Sequence, residues 1–209
     1  MDDTYRSLEG PAEGIFRDRS SRFLAFGFPV ETGEEVKDML TSIKKKYHDA
    51  RHHCYAYRLG YSKGIFRMND DGEPSGTAGK PIYGQLLSYD LTDTLAVVVR
   101  YFGGTLLGTS GLINAYRSAT TDMLSHATII RKCVEEHFQV SFPYDRLNLV
   151  MKVLKEENLV PLKPDLNTQC SFNISVRRGL SGRLTARLSV IPGLVIESVQ
   201  MSDESHCAE

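Results

Sequence analysis

Between Asp70 and Ile82 the chain reads Asp-Asp-Gly-Glu-Pro-Ser-Gly-Thr-Ala-Gly-Lys-Pro-Ile, and neither a helix nor a central strand can run through it. Gly72, Gly76 and Gly79 relax the backbone, while Pro74 and Pro81 each remove a donor. The stretch is also too polar to be core: Asp70, Asp71 and Glu73 open it, and Ser75, Thr77 and Lys80 follow. Such a segment is either held in one shape by its surroundings or stays mobile until something binds. The rest of the chain has to fold around it.

A second stretch answers it. Val97-Val-Val-Arg-Tyr-Phe-Gly-Gly-Thr-Leu-Leu-Gly108 runs from a buried strand into a glycine-rich turn, and helical spacing follows. Strand, glycine turn and helix together let backbone N–H groups and a helix N-terminus face an anion. Gly103, Gly104, Thr105 and Gly108, with Gly111 beyond, permit close backbone approach, and Arg100 stands beside them. With Arg58 and Lys80 these are the candidate phosphate-binding residues. Asp70, Asp71 and Glu73 either bond nearby backbone N–H groups and Arg58, Arg67 or Arg100, or carry a hard cation such as magnesium.

Other chemistries find less support. Gly76-Thr-Ala-Gly-Lys80 is not a nucleotide P-loop, because Pro74 stands where its first glycine belongs and Pro81 where its Ser or Thr belongs. No nucleophile elbow appears, since Gly108-Thr-Ser-Gly111 lacks the Gly-x-Ser-x-Gly frame. No catalytic residue is assigned. Cys54, Cys133, Cys170 and Cys207 are scattered without a Cys-x-x-Cys pair, which argues against a disulfide framework or a structural zinc site. In His52-His53-Cys54 the alternation of a strand turns His53 away from its neighbours, so the three cannot share one ion. A net charge of −1 gives no whole-chain attraction to nucleic acid, although a local patch suffices for it. No apolar run reaches membrane-span length, and the acidic N-terminus is unlike a signal peptide, so a cytoplasmic location is expected.

Taken in order, Gly14 to Asp18 and Arg22 to Phe28 read as strands, and Thr32-Gly-Glu-Glu35 has capping-box spacing for a helix that ends on Lys44-Lys-Lys46. His52 to Tyr61 alternates as a strand, with Cys54, Ala56 and Arg58 facing one way. Ile65 to Met68 is a short strand or turn, and a helix starts at Pro81. Thr94 to Tyr101 is expected at the sheet centre, buried on both faces. Helical spacing then predicts a helix from Thr109 to about His137, capped by Thr109 or Ser110. Beyond it the pattern predicts strand Gln139 to Pro143, helix Tyr144 to Glu157, strands Leu159 to Leu162 and Cys170 to Val176, helix Arg178 to Leu188 and strand Leu194 to Val199. That is the ferredoxin-like βαββαβ order. The expectation is an α+β chain of two domains, residues 1–137 and 138–201, with a polar tail at 202–209.

Five runs together resemble the YigZ/IMPACT family: Ser21-Arg-Phe-Leu-Ala25, Asp49 to Arg58, Asp70 to Ile82, Val97 to Gly108, and Gly111-Leu with Ala115-Tyr116. The resemblance covers about residues 1 to 135 through motifs and the remainder by architecture. It implies a first domain similar to the fourth domain of elongation factor G and to a small-subunit ribosomal protein fold. It implies a second domain similar to that factor's ferredoxin-like fifth domain. It also implies regulation of translation, since the eukaryotic relatives restrain a kinase that phosphorylates an initiation factor. Those relatives carry an extra N-terminal domain for which this chain has no room, so the bacterial two-domain type is expected. Family members commonly have Lys, Gly and Arg where Leu106, Ser110 and Asn114 stand here, which removes two positive charges beside the glycine turn. Arg177, Arg178, Arg183 and Arg187 partly compensate, Arg183 and Arg187 sharing a helix face.

Two functions are therefore expected to compete. One is non-catalytic binding of RNA, the ribosome or a translation factor through the acidic loop and glycine turn, with Arg183 and Arg187 adding to the surface and no resident cofactor. The other is a metal-assisted hydrolase or phosphoryl-transfer enzyme using the same cleft.

Overall fold

The computed structural model describes residues 3–199. The chain is α+β and divides into two compact units, one of residues Tyr5–Lys132 and the other of residues 3–4 with 133–199 among those described. The division falls after Lys132 rather than after His137. The expected tail at 202–209 lies outside the described residues.

The first unit is built on one five-stranded antiparallel sheet. Its elements are β1 (Thr4–Leu8), β2 (Ala12–Asp18), β3 (Ser21–Pro29), α1 (Gly33–Lys46), β4 (His52–Leu59), β5 (Ile65–Asn69), α2 (Gly79–Ser88), β6 (Thr94–Tyr101), α3 (Gly108–His126) and β7 (Ile129–Cys133). The sheet order is β2-β3-β6-β4-β5, while β1 pairs with β7 in a separate two-stranded ribbon. β6 is central, as its continuous aliphatic run requires. Ala96 and Val98 enter the core under α2 and α3, and Leu95, Val97 and Val99 enter the core under α1. Cys54 and Ala56 of β4 face the first of these cores and Leu59 the second.

Local chemistry sets most of the boundaries. Thr32 caps α1 by accepting the Glu35 N–H at 3.1 Å, and the Glu35 carboxylate reaches back to the Glu31 N–H at 2.7 Å. α2 begins at Gly79, two residues before Pro81, which sits harmlessly in the first turn. The expected helix through His137 is corrected: α3 stops at His126, where Ala127 turns extended, and β-branched Thr128, Ile129 and Ile130 lead into β7. Neither Thr109 nor Ser110 caps α3. Leu107 occupies the cap position, and no side chain bonds the helix start.

The second unit has the ferredoxin-like order: β8 (Glu135–Pro143), α4 (Leu147–Glu156), β9 (Leu162–Leu166), β10 (Gln169–Arg177), α5 (Arg178–Ser189) and β11 (Val195–Ser198). The strands lie β11-β8-β10-β9, and one face carries Phe138, Val140, Phe142, Cys170, Phe172, Ile174 and Val176 into a core with α4 and α5. β9 falls at 162–166 rather than 159–162. Among the described residues no helix is long and apolar enough to cross a membrane.

Candidate functional site

The loop after β5 is held in one shape by its own acids. Asp70 accepts three backbone N–H groups, from Gly76 (2.9 Å), Ala78 (2.9 Å) and Gly79 (2.8 Å), and so ties the loop to the start of α2. Asp71 accepts the His53 N–H at 2.7 Å and has Lys44 Nζ at 3.9 Å. The Asp71 carbonyl accepts a hydrogen bond from His52 Nδ1 at 2.8 Å, which fixes that nitrogen as the protonated one. Glu73 turns inward, and its Oε1 accepts Arg100 Nη1 at 2.6 Å and the Tyr116 hydroxyl at 2.8 Å.

These bonds give each acid of the loop partners of its own. Asp70, Asp71 and Glu73 face three different sets of partners, and among the described residues no trio of His, Cys, Asp or Glu converges to hold an ion. A metal-assisted hydrolase needs ligands aimed at one point. His52, His53 and Cys54 separate as the strand alternation requires, with His53 Nε2 donating to the Tyr47 carbonyl at 3.0 Å.

Beneath the loop lies a buried polar chain. The Cys54 thiol reaches the Asp70 carbonyl (3.0 Å) and the Tyr116 oxygen (3.3 Å), and Tyr116 in turn donates to Glu73. Burial pushes the Cys54 thiol and the Tyr116 hydroxyl far above their usual ranges, and the neighbouring Glu73 charge adds to both shifts. Both groups stay neutral at physiological pH. The chain serves to hold Glu73.

The glycine turn approaches from the other side. Gly103 packs against the β2–β3 turn so closely that a Cβ there would lie 2.1 Å from the Ser20 carbonyl carbon, and its N–H donates to Ser21 Oγ at 3.1 Å. Gly104 adopts φ +86°, open on all sides. Thr105 is exposed and makes no side-chain hydrogen bond.

Loop and turn enclose a cavity of about 390 Å³. Glu73 and Pro74 come from the acidic loop, Arg51 and His52 from the start of β4, and Gly108 and Thr109 from the first turn of α3. Phe102, Leu106, Leu107 and Leu112 make the wall apolar. Arg100 lines it too, 5% exposed, and its Nε has no hydrogen-bond partner. Arg51 is exposed and makes no ion pair among the described residues. The free N–H groups of a 19-residue helix therefore open onto a space with two guanidinium groups at its edge.

Several sequence candidates fall elsewhere. Arg58 sits six positions along β4 from His52 and is bonded to Asp90 Oδ1 (3.4 Å) and the Leu91 carbonyl (3.3 Å), so it is a structural cation. Lys80 is exposed on the far side of the loop and lines a different groove. Arg183 and Arg187 are ion-paired within the second unit: both bind Glu157 at the end of α4, and Arg187 also binds Glu156. They clamp two helices of the second unit together. Arg100 remains at the cavity, but as half of an ion pair rather than a free phosphate ligand.

Arg51, His52 and Phe102 lie in the runs that carry the family resemblance, but were not among the candidate binding residues. β-Pairing sets His52 directly opposite Arg100, and only that register brings residues 48 positions apart to one cavity wall.

Comparison with known proteins supports the family reading. The sequence profile described as the Impact N-terminal domain matches residues 19–124. The chain is 39% identical over 140 residues to the IMPACT family member YvyE of Bacillus subtilis, covering 67% of this chain and 64% of that protein. It is 36% identical over 138 residues to the IMPACT family member YigZ of Escherichia coli, covering 65% and 68% respectively. A crystal structure of a hypothetical protein superposes with a TM-score of 0.75 at 27% identity, covering 97% of this chain and all of that one.

Proposed function

The chain belongs to the IMPACT family, and on that basis we propose that it is a translation-associated regulator that acts by binding rather than turnover, its cavity receiving an RNA phosphate. The observation that carries this reading is the uncapped start of α3, whose first turn lines the cavity together with Arg51 and Arg100. Phosphate oxygens are strong acceptors for such donors. Phe102 stands half-exposed at the rim, where a base can stack. The partner is an RNA, free or within a ribosome; a translation factor is the protein alternative.

The departure at Leu106 fits a modest site. This residue is 81% exposed at the rim and contributes no charge. Arg51 is then the main freely exposed cation at the cavity. Arg58, Lys80, Arg183 and Arg187 have no part in it.

The test is RNA binding by the full chain as a function of salt. Arg51→Ala should weaken binding and reduce the slope of log K against log salt by about 0.7, the value for one single-strand phosphate contact. Arg100→Ala is a poor test, because it strands Glu73. Unchanged binding and slope in Arg51→Ala would sink the cavity reading. A lysate partner retained after ribonuclease treatment would replace RNA with a protein.

A further inference from the structure

The two edges of the five-stranded sheet are treated differently. On β2, the Ile15 N–H is taken by Asp122 Oδ2 of α3 at 2.8 Å, so that edge is guarded. On β5 nothing comparable happens. Beyond its ladder with β4, no backbone group of Ile65–Asn69 is hydrogen-bonded among the described residues. The edge is apolar as well as open: Ile65 is 60% exposed, Phe66 49% and Met68 40%. Natural edge strands usually carry charges, bulges or covering elements that prevent another strand from adding on.

A groove of about 930 Å³ runs beside this edge. The register pairs Phe66 with Arg58 and Met68 with Ala56, which sends both side chains to the α2 side of the sheet. There Phe66 stacks on Tyr83 with ring centroids 5.0 Å apart, and Leu87 and Ile113 extend the apolar floor. Lys80 and Arg117 stand on the groove wall, and Arg67 projects from the strand itself. All three are exposed, none is ion-paired among the described residues, and no carboxylate of those residues lines the groove.

We propose that β5 and this groove bind an acidic, extended segment of a protein partner, which joins the sheet as a sixth strand. Backbone pairing along β5 supplies affinity, and alternate apolar side chains enter the groove. Acidic residues between them face the other side of the sheet beside Arg67, and acidic residues flanking the strand meet Lys80 and Arg117 at the groove wall. The open row of amides and carbonyls recognises another peptide rather than a nucleotide. Tyr83 already covers one face of the Phe66 ring, and aliphatic Ile65, Met68 and Leu87 offer bases nothing to stack on. The surface is separate from the cavity beside α3 and does not depend on it.

The probe is a synthetic peptide in which glutamate alternates with isoleucine or phenylalanine and further glutamates flank the alternating run, titrated into the full chain. It should bind, and binding should protect the amides of residues 65–69 from hydrogen exchange. The double variant Lys80→Glu/Arg117→Glu, checked for native circular dichroism, should weaken binding about tenfold or more and should favour a lysine-substituted peptide instead. Met68→Lys should weaken it independently, while Arg51→Ala leaves it unchanged. The proposal is overturned if the peptide does not bind, if the double variant binds it equally, or if residues 65–69 gain no protection. Displacement of the peptide by an oligouridine, or sedimentation as a dimer that Met68→Lys dissolves, overturns it in favour of RNA or of a second copy.

Discussion

Arg100 and Glu73 meet across 27 positions of sequence, Nη1 to Oε1 at 2.6 Å, with both side chains less than a tenth exposed. The pair joins the central strand to the acidic loop, and Phe23 and Phe102 flank the guanidinium with ring centroids at 5.4 and 5.5 Å. Taking one partner away leaves the other charged in an apolar setting. Arg100→Met should therefore cost about 3–5 kcal/mol in denaturant unfolding of the first unit, and Arg100→Met/Glu73→Leu should recover much of that loss. A single variant as stable as the parent would show that the pair is not needed for the fold.

Asp70 supports its loop by a different means. Its two carboxylate oxygens share three N–H donors, and an asparagine would turn an amide NH₂ toward one of them. Asp70→Asn should cost about 1–3 kcal/mol and speed hydrogen exchange at Gly76, Ala78 and Gly79 above all. Uniform exchange across the unit would instead indicate global loosening.

The two glycines of the turn should respond differently. Gly103→Ala puts a methyl group into the Ser20 backbone, so the turn has to move. Gly104→Ala meets open space and costs only the left-handed backbone, about 1–2 kcal/mol. Melting temperatures should rank parent, Gly104→Ala, Gly103→Ala in falling order, with Gly104→Val below Gly104→Asn because β-branching resists positive φ. Equal melting points for the two alanine variants would contradict the close packing at Gly103.

Thiol chemistry offers an independent check on burial. Cys54 is buried and its thiol is held protonated, whereas Cys133 is exposed. Peptide mapping after brief alkylation of the native chain at mildly alkaline pH should find Cys133 modified and Cys54 intact. Early labelling of Cys54 would mean that the loop above it opens readily.

In the second unit, Arg177 bonds Asp3 through Nε (2.8 Å) and Nη2 (2.6 Å), and the Gly179 N–H adds a third contact at 3.0 Å. Arg177 first, and then that N–H, hold the Asp3 carboxyl well below the usual carboxylate range. A depressed carboxyl adds stability above its unfolded pKa and loses it as pH falls through the folded value. Acid unfolding of this unit should therefore set in below about pH 4, and Asp3→Asn should flatten that dependence. An identical acid profile in the variant would remove Asp3 from the account.

What the sequence disclosed was mostly local. The aliphatic run of β6 announced a strand buried on both faces, Thr32 and Glu35 announced the start of α1, and the second unit's alternation announced βαββαβ. What it left out were the partners that come from far along the chain. Arg183 and Arg187 have the right spacing for one helix face, but spacing is silent about Glu156 and Glu157 on α4. Lys80 is close in sequence to Glu73, yet α2 starts between them and turns it to the other side of the loop. Ile130 and Val134 fitted a helical period by coincidence, and their neighbours' β-branching decided otherwise.

The clamp that Asp70 makes has one more effect. The short span it secures is a partition with a hollow on either hand, Glu73 and Pro74 lining one and Gly76 and Lys80 the other. Cutting the Asp70 clamp should therefore disturb both hollows at once, although each is lined by residues of its own.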